Sequence, residues 1–290
     1  MSWHLGPMAC FDIESTGVDP FRDRIVTSAV IEVGKGRETR PFVWLLNPGI
    51  DIPEEATAVH GITTEMAAAG QDPASGVASI TEELLRCAAD GMPIVGHNVC
   101  YDLTLLWAEC ARHGHRELVT AIEDLAERGP VIDTMVIEKH LDPYRPGSPE
   151  TAKGRRPDGA CGKHTLVDCC RLWGVALHEA DAHGAEADAL AAGRLAWRLA
   201  TSPERFASFD SHPTSRIDPG AYPLDHLHRW QAKTYASEAA RFQAYMRGEQ
   251  RRKPDDVDPT FVAPTSWPVQ EPPADWSPDQ LPAPREEVAA

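Results

Sequence analysis

The sequence contains few basic residues for its size. Its 290 residues include 28 Lys and Arg against 44 Asp and Glu, which gives a formal net charge of −16. A protein that holds nucleic acid through a broad basic surface carries the opposite balance. The composition therefore argues against binding of nucleic acid by bulk electrostatics.

Long apolar runs and paired cysteines are also absent. No run of about 18 apolar residues could span a membrane, and residues 1–7 lack the basic start and apolar stretch of a signal peptide. None of the seven cysteines forms a Cys-x-x-Cys pair, so we expect free thiols, a cytoplasmic location and no membrane contact. The group Cys161, His164, Cys169 and Cys170 matches no common zinc pattern.

The hydrophobic pattern changes along the chain. Three short apolar runs at 8–13, 25–33 and 41–46 predict strands, and their short connections are typical of an antiparallel meander. Helical spacing follows at 77–88 and 103–111, separated by a short buried strand at 93–96. Strands alternating with helices continue to residue 200. This order predicts an α/β domain over residues 1–202, with a mixed sheet flanked by helices.

The remainder of the chain differs in character. Residues 203–253 are expected to form a C-terminal helical extension, which either packs back on the first domain or docks a partner. Residues 254–290 are rich in proline and strongly acidic. Such a composition buries too little apolar surface to fold alone, so we expect a disordered tail.

The first chemically distinctive segment is Phe11-Asp-Ile-Glu-Ser-Thr-Gly17. Residues two apart on a strand point to the same face, so Asp12 and Glu14 project together. Adjacent carboxylates repel each other, and hard divalent cations such as Mg²⁺ relieve that repulsion because they prefer oxygen ligands. The turn that follows could offer amides and hydroxyls to a phosphate or sugar. Taken alone, this motif also fits a solvated strand end.

Two further segments carry polar groups next to helices. In Gly96-His-Asn-Val-Cys-Tyr-Asp102 a buried strand leads into a helix, a place where ligand sites gather. Asp102 could equally serve the helix dipole or cap. In His183-Gly-Ala-Glu-Ala-Asp188 a histidine and an acid can share one cavity. Histidine, with an unperturbed pKa near ~6.5, suits a general base at neutral pH.

In this order, the three segments resemble the DnaQ-like 3′–5′ exonucleases of the DEDDh class. That family includes the proofreading subunit of bacterial replicative DNA polymerase. The resemblance covers roughly residues 8–200 and includes His60-Gly-Ile62. It implies a ribonuclease H-like fold with a five-stranded mixed sheet. The sequence departs from the family at Ser15, where threonine is common, and at Tyr101, where phenylalanine is common.

The resemblance also implies a reaction and its residues. Phosphodiester bonds would be hydrolysed from the 3′ end of DNA by a two-metal mechanism that releases nucleoside 5′-monophosphates. His183 would act as the general base. The ligands of two Mg²⁺ or Mn²⁺ ions would be Asp12, Glu14, Asp102 and Asp188. The expected contacts to the terminal nucleotide are Ser15, Thr16, Gly17, His60, Ile62 and Asn98.

Several alternatives stay open at this point. The expected partner is a nucleic acid with a free 3′ end, single-stranded or frayed, but metal ligands do not distinguish DNA from RNA. An RNA-directed exonuclease of the same class is therefore the close alternative. A non-catalytic polymerase-accessory or nucleic-acid-binding module on the same fold is the other. A DNA polymerase or another protein could bind through the C-terminal extension.

Overall fold

Five strands form one mixed sheet in the computed structural model of the chain, which describes residues 2–34, 36–143, 145, 162–177, 183–202, 217–249 and 257–279. The strands run in the order β3-β2-β1-β4-β5 across the sheet. The first three pair antiparallel, whereas β4 and β5 run parallel to β1. The predicted α/β fold with a five-stranded mixed sheet is confirmed. The strands are β1 Met8–Ser15, β2 Ile25–Val33, β3 Arg40–Leu45, β4 Ile94–Gly96 and β5 Val131–Asp133.

Helices cover both faces of this sheet, and three of them were not predicted. The unpredicted ones, α1, α2 and α5, are short or strongly polar, and α5 buries only Ile122 and Leu125. The shortness of α1 and α2 gives little periodic signal, whereas α5 has a clear apolar stripe of Leu118, Val119, Ile122 and Leu125 that the sequence reasoning overlooked. In the described ranges the α-helices are α1 Glu54–His60, α2 Thr64–Ala67, α3 Pro73–Ala89, α4 Val99–Arg112, α5 Arg116–Arg128, α6 Thr134–Leu141, α7 Leu166–Trp173, α8 Ala185–Thr201 and α9 Leu224–Met246.

Apolar side chains alternate between the two faces of the sheet, as the pleat of a strand requires. Phe11 and Ile94 belong to the core cluster that contains α3 and α4. Val95 and Ile132 belong to the cluster on the opposite face, with residues of α7 and α8. The sheet therefore separates two apolar layers, and α4 and α8 lie on opposite faces of it.

Helix α8 approaches the central strand β1 very closely. A Cβ atom on Gly193 would lie 2.2 Å from the Sγ atom of Cys10, whose side chain is fully buried. Real Cβ atoms do not come so near another heavy atom, so this contact requires glycine. The close approach brings the first turn of α8 to the end of β1.

The C-terminal extension packs on the open edge of β5. The side chain of Gln231 on α9 accepts a hydrogen bond from the backbone N–H of Asp133 at 2.8 Å and donates one to the carbonyl of Val131 at 2.9 Å. An unpaired strand edge buried without partners would be costly. In residues 224–246, therefore, the extension follows the first of the two predicted arrangements and packs back on the domain.

The prediction of a disordered tail is wrong for residues 257–279, which we call the strap. The strap is extended, crosses the surface of the domain and buries Ala263 and Trp267. The Gln270 backbone N–H donates to Thr104 Oγ1 at 2.9 Å. The composition argument considered only whether the tail could fold alone, whereas the strap uses a surface that the domain already provides. The remainder of the predicted tail and most of the 143–162 loop lie outside the described residues.

Two further expectations concern membranes and thiols. No helix in the described ranges combines the length and the apolar character needed to cross a membrane. The six cysteines that the structure describes are all buried free thiols.

Candidate active site

Asp12 and Glu14 lie on one face of β1, opposite Ala29 and Thr27 of β2. The pairing register shifts between Glu14 and Ser15, which marks a β-bulge at the end of the strand. Bulges re-aim side chains and end pairing, and they are common beside functional sites. The two carboxylates thus leave the sheet at the point where β1 gives way to a loop.

Asp188, in the first turn of α8, joins these two acids. Oxygen atoms of Asp12, Glu14 and Asp188 all lie within 4.8 Å of one another. The Oδ2 atom of Asp188 accepts a hydrogen bond from the backbone N–H of His183 at 3.2 Å. Its Oδ1 atom is buried and has no hydrogen-bond partner among the described residues. We call these three acids the carboxylate cluster.

Asp102 approaches the same place from α4. Its Oδ1 atom accepts a hydrogen bond from the backbone N–H of Ile13, between the two acids of β1, at 2.9 Å. The side chain is buried. Its negative charge helps raise the pKa of Asp12. Asp102 is therefore the neighbour of the carboxylate cluster, rather than one of the three acids in closest contact.

The four carboxyl groups have raised pKa values. Burial is the first cause for Asp12, followed by repulsion from Asp102, Glu14 and Asp188. Burial and then the Asp188 charge raise the pKa of Glu14 to about 7. Burial also raises the pKa of Asp102 and that of Asp188. This cluster holds more negative charge than the surrounding protein stabilises, which is the property that a divalent cation compensates.

Two other groups in the described part of the chain have ligand-type side chains close together. In each of them an arginine forms an ion pair with a carboxylate, Arg145 in the first and Arg86 in the second. Among the described residues, no arginine or lysine forms such an ion pair with the carboxylate cluster. Its oxygen-only donor set also suits Mg²⁺ or Mn²⁺ better than the mixed sets do. The two other groups are Glu138 with His164 and Cys169, and Glu32 with Glu83 and Cys87.

A cavity of about 610 Å³ opens beside the carboxylate cluster. Glu14 and His183 are among its lining residues. Thr27 of β2, Val43 of β3 and Leu190 of α8 also line it. The cavity is large enough for a nucleotide and combines acidic, imidazole and apolar surfaces.

His183 adopts an uncommon backbone conformation at the rim of this cavity. Its φ angle is 68°, in the left-handed region, and its side chain is exposed. This conformation costs a non-glycine residue roughly 1–2 kcal/mol. In this conformation the His183 backbone N–H donates to Asp188. This hydrogen bond keeps the residue that carries the imidazole next to the Asp188 carboxylate.

Two of the predicted nucleotide contacts line the cavity. His60 is the last residue of α1 and Ile62 follows it, and His60 Nδ1 accepts a hydrogen bond from the Ile62 backbone N–H at 3.1 Å. Burial lowers the pKa of His60, with an opposing effect from the Ser15 backbone. The ring is consequently neutral at neutral pH, which suits packing against a base or sugar.

Ser15 and Gly17 are held by Tyr101. The Ser15 hydroxyl lies 2.7 Å from the Tyr101 hydroxyl, and each lies 2.6 Å from the Gly17 carbonyl oxygen, which accepts from both. The Ser15 side chain is thus used within the turn. The two positions at which the sequence departs from the family pattern contact each other.

Thr16 and Asn98 are placed away from the cavity wall. Thr16 is fully buried, and its Oγ1 atom donates to Asp23 at 2.9 Å and accepts from the Arg24 backbone N–H at 3.0 Å. Asn98 is exposed, with φ of 65°, at the start of α4. Neither is among the described residues that line the cavity. Both therefore shape the loops next to the site.

The sequence reasoning missed Arg194, Leu190 and Val43. All three line the cavity. The spacing of four between Leu190 and Arg194 on a predicted helix could have indicated a shared face. Nothing in the sequence indicated that β3 would remain uncovered at Val43, because that depends on where α8 packs.

The fold and the carboxylate cluster define a ribonuclease H-like protein with an acidic, metal-type site at the end of its central strand. The model of the exonuclease family RNase_T matches residues 9–196, and the chain belongs to this family. This membership confirms the resemblance to DnaQ-like exonucleases that the three sequence motifs indicated.

Individual relatives are much longer than the matched region. A DNA polymerase III subunit epsilon-like protein of Rhodobacter capsulatus is 29% identical over 192 residues, which cover 65% of this chain and 23% of the relative. A PolC-type DNA polymerase III of Lacticaseibacillus paracasei is 26% identical over 189 residues, 65% of this chain and 11% of the relative. The chain spans less than a quarter of either relative.

Solved structures show the same fold. E. coli exonuclease I in complex with a dT13 oligonucleotide superimposes with a TM-score of 0.52 and 21% identity. The match covers 70% of this chain and 43% of exonuclease I. At this identity the likeness concerns the fold.

Proposed function

We propose that the protein is a metal-dependent 3′–5′ exonuclease that releases nucleoside 5′-monophosphates from DNA. The observation that carries the proposal is the carboxylate cluster, which no arginine or lysine of the described chain neutralises, beside the exposed imidazole of His183. Membership of the exonuclease family supports the reaction class. The dT13 complex of exonuclease I supports single-stranded DNA as the substrate.

The four acids are suited to two Mg²⁺ or Mn²⁺ ions. Asp12, Glu14 and Asp188 offer converging oxygen atoms, and Asp102 adds a fourth carboxylate next to them. The buried Oδ1 atom of Asp188, with no hydrogen-bond donor in the described chain, is a fitting ligand atom. Bound cations would supply Lewis-acid activation of water and neutralise charge at the scissile phosphate.

His183 is the proposed general base. Its exposed ring can accept a proton from the attacking water, which is the part that a histidine general base plays in hydrolysis. The hydrogen bond from its backbone to Asp188 sets its distance from the acids. The imidazole can later return the proton to bulk solvent from the cavity rim.

The terminal nucleotide would bind next to the turn after β1. Ile62 offers apolar contact, and the neutral His60 ring offers a face for the sugar or base. Ser15 and Gly17 contribute by fixing the turn through Tyr101, rather than through a hydroxyl directed at substrate.

An oligonucleotide assay tests this function. Purified protein is incubated with 5′-labelled DNA and RNA of the same sequence, with Mg²⁺ or with EDTA. We expect single-nucleotide ladders from the 3′ end of DNA with Mg²⁺, and none with EDTA or with His183→Ala. Faster degradation of RNA would assign the RNA-directed alternative. No metal-dependent product on either substrate would favour a non-catalytic accessory module.

A protein partner is a second element of the proposal. Both relatives described above are named as DNA polymerase III proteins. This supports a setting in DNA replication or repair, with a polymerase bound at the C-terminal extension. A pull-down with the full chain, compared with a chain ending at residue 202, would test whether the extension is needed.

A further inference from the structure

Helix α8 presents one stripe of side chains to the cavity. Glu186, Leu190 and Arg194 all line the cavity and are spaced four residues apart, so they share one face of the helix. The stripe begins next to Asp188 and continues along the cavity. Arg194 is the one arginine or lysine among the described residues of the cavity wall.

No described residue neutralises the positive charge of Arg194. The side chain is exposed and forms neither an ion pair nor a hydrogen bond with any described residue. By contrast, Arg229 on α9 pairs with Asp225, one turn away, at 2.7 Å. An arginine can pair with an acid three or four positions away on its helix. At those positions Arg194 has only Leu190, Ala191, Trp197 and Arg198.

The position of Arg194 relative to the carboxylate cluster indicates what it could bind. Asp188 and Arg194 are six residues apart, about 9 Å along the helix axis. Helical side chains lean toward the N-terminus of their helix, so we expect the Arg194 side chain to lean toward the end of α8 that carries Asp188. A strand with one phosphate at the cluster would bring its next phosphate toward Arg194.

The surface between these two points suits the intervening nucleotide. Leu190 lies between Glu186 and Arg194 on the helix face, and Val43, which is 52% exposed, adds apolar surface to the same cavity lining. A base or sugar can lie there without losing a hydrogen-bond partner. The cavity therefore offers an acidic end, an apolar middle and a cationic end.

We propose that Arg194 binds the phosphodiester one nucleotide upstream of the scissile bond. The proposal rests on the exonuclease function proposed above. A guanidinium binds phosphate oxygens in a bidentate manner, with a geometry that lysine does not reproduce. In a protein with a net charge of −16, Arg194 would hold the strand while the acids bind metal. It would favour substrates with at least two phosphodiesters.

Two substrates distinguish binding of the upstream phosphodiester by Arg194 from a general effect of Arg194 on catalysis. A thymidine oligonucleotide has an upstream phosphodiester, whereas the p-nitrophenyl ester of thymidine 5′-monophosphate has only the scissile one. We expect Arg194→Ala to raise KM for the oligonucleotide about tenfold or more, the change expected from losing a hydrogen bond to a charged group. Its kcat, and its kinetics on the nitrophenyl ester, should match wild type.

Two control variants and the salt dependence of KM complete the experiment. Arg198→Ala removes an exposed arginine from the same helix but outside the cavity lining, and should behave as wild type. Arg194→Lys should recover part of the loss, because it keeps the charge. The slope of log KM against log salt concentration should fall by about 0.7 in Arg194→Ala, as for one phosphate contact on a single strand.

Other results would overturn the proposal. An unchanged oligonucleotide KM in Arg194→Ala would show that the arginine does not contact the strand. An equal loss on both substrates would show that it acts on the metal site or on the fold. If the wild-type protein hydrolyses neither substrate with Mg²⁺, the proposed function itself fails, and this inference fails with it.

Discussion

The hydroxyl groups of Ser15 and Tyr101 lie 2.7 Å apart, and the Gly17 carbonyl accepts from both. This arrangement joins the end of β1 to the first turn of α4. Burial raises the pKa of Tyr101, so its hydroxyl remains protonated and can donate. The sequence departs from the family pattern at both positions, and the two departing side chains contact each other through their hydroxyl groups.

A double-mutant cycle on this pair should show coupling. Tyr101→Phe alone leaves the turn with one hydroxyl fewer and should lower the free energy of unfolding by about 1 kcal/mol. In Ser15→Ala/Tyr101→Phe the loss should be smaller than the sum of the single losses, with a coupling near 1 kcal/mol. Urea denaturation of the four proteins measures it. Tyr222→Phe is a control, because no described hydrogen bond involves its hydroxyl. Additive losses in the double variant would contradict an interaction between the Ser15 and Tyr101 side chains.

The metal-free protein should become less stable as the pH rises. The pKa of Glu14 is about 7 in the folded protein against an ordinary value of 4.5, so the folded state disfavours its charged form. Protonated Glu14 therefore contributes on the order of 2 kcal/mol to the free energy of unfolding. This contribution is fully present below pH 4.5 and is lost as the pH rises through 7. Thermal unfolding in EDTA at pH 5, 6, 7 and 8 follows this decline.

The loss of stability at high pH should disappear when the negative charge of Glu14 is neutralised or removed. Saturating Mg²⁺ at pH 8 should restore stability, because it binds the folded cluster. Glu14→Gln in EDTA should show a weaker pH dependence than wild type, whereas Glu271→Gln in the exposed part of the strap should show the wild-type dependence. Equal curves for Glu14→Gln and wild type would exclude this carboxyl as the source.

Gly193→Ala should disturb the site from a distance. Its methyl group would overlap Cys10 Sγ, so α8 must move away from β1 and carry Asp188 with it. We expect a loss of about 1–3 kcal/mol in stability, although alanine favours a helix by about 1 kcal/mol over glycine. Cys10→Ala/Gly193→Ala should recover stability and activity, since the space is then available. A Gly193→Ala protein as active as wild type would show that the close approach is unimportant.

The strap should contribute measurably to stability. Trp267 is 7% exposed, its indole N–H donates to Asp133 at 3.4 Å, and its ring lies 5.0 Å from that of His228. Trp267→Ala should cost about 3–5 kcal/mol. Val262→Ala, at a strap position that is 71% exposed, should have little effect.

Limited proteolysis gives a second test of the strap. The Trp276 indole N–H donates to the Phe21 carbonyl at 2.9 Å, in the loop that follows β1. Trp276→Ala should therefore expose this loop and the end of the strap to cleavage sooner than in wild type. Cleavage of the strap in wild type before any other site would contradict its docking on the domain.

The sequence predicted elements with a periodic apolar pattern and sites with closely spaced charged residues. Buried strands and strongly amphipathic helices have a periodic apolar pattern, so β1 and α8 were located closely. Asp12 and Glu14 were recognised because their spacing places them on one face of a strand. Features that depend on how elements pack were not accessible. The burial of Thr16, the docking of the strap through Trp267 and the direction of Arg194 depend on surfaces contributed by distant segments.

Titration with Mn²⁺ tests most directly whether the carboxylate cluster holds cations. Isothermal titration calorimetry would be carried out on metal-free wild type, on Asp12→Asn, and on Asp275→Asn as a control in the strap. We predict saturable binding to wild type and to the control, and binding at least tenfold weaker in Asp12→Asn with its fold intact by circular dichroism. Equal Mn²⁺ affinity in wild type and Asp12→Asn would contradict the assignment of the cluster as the metal site.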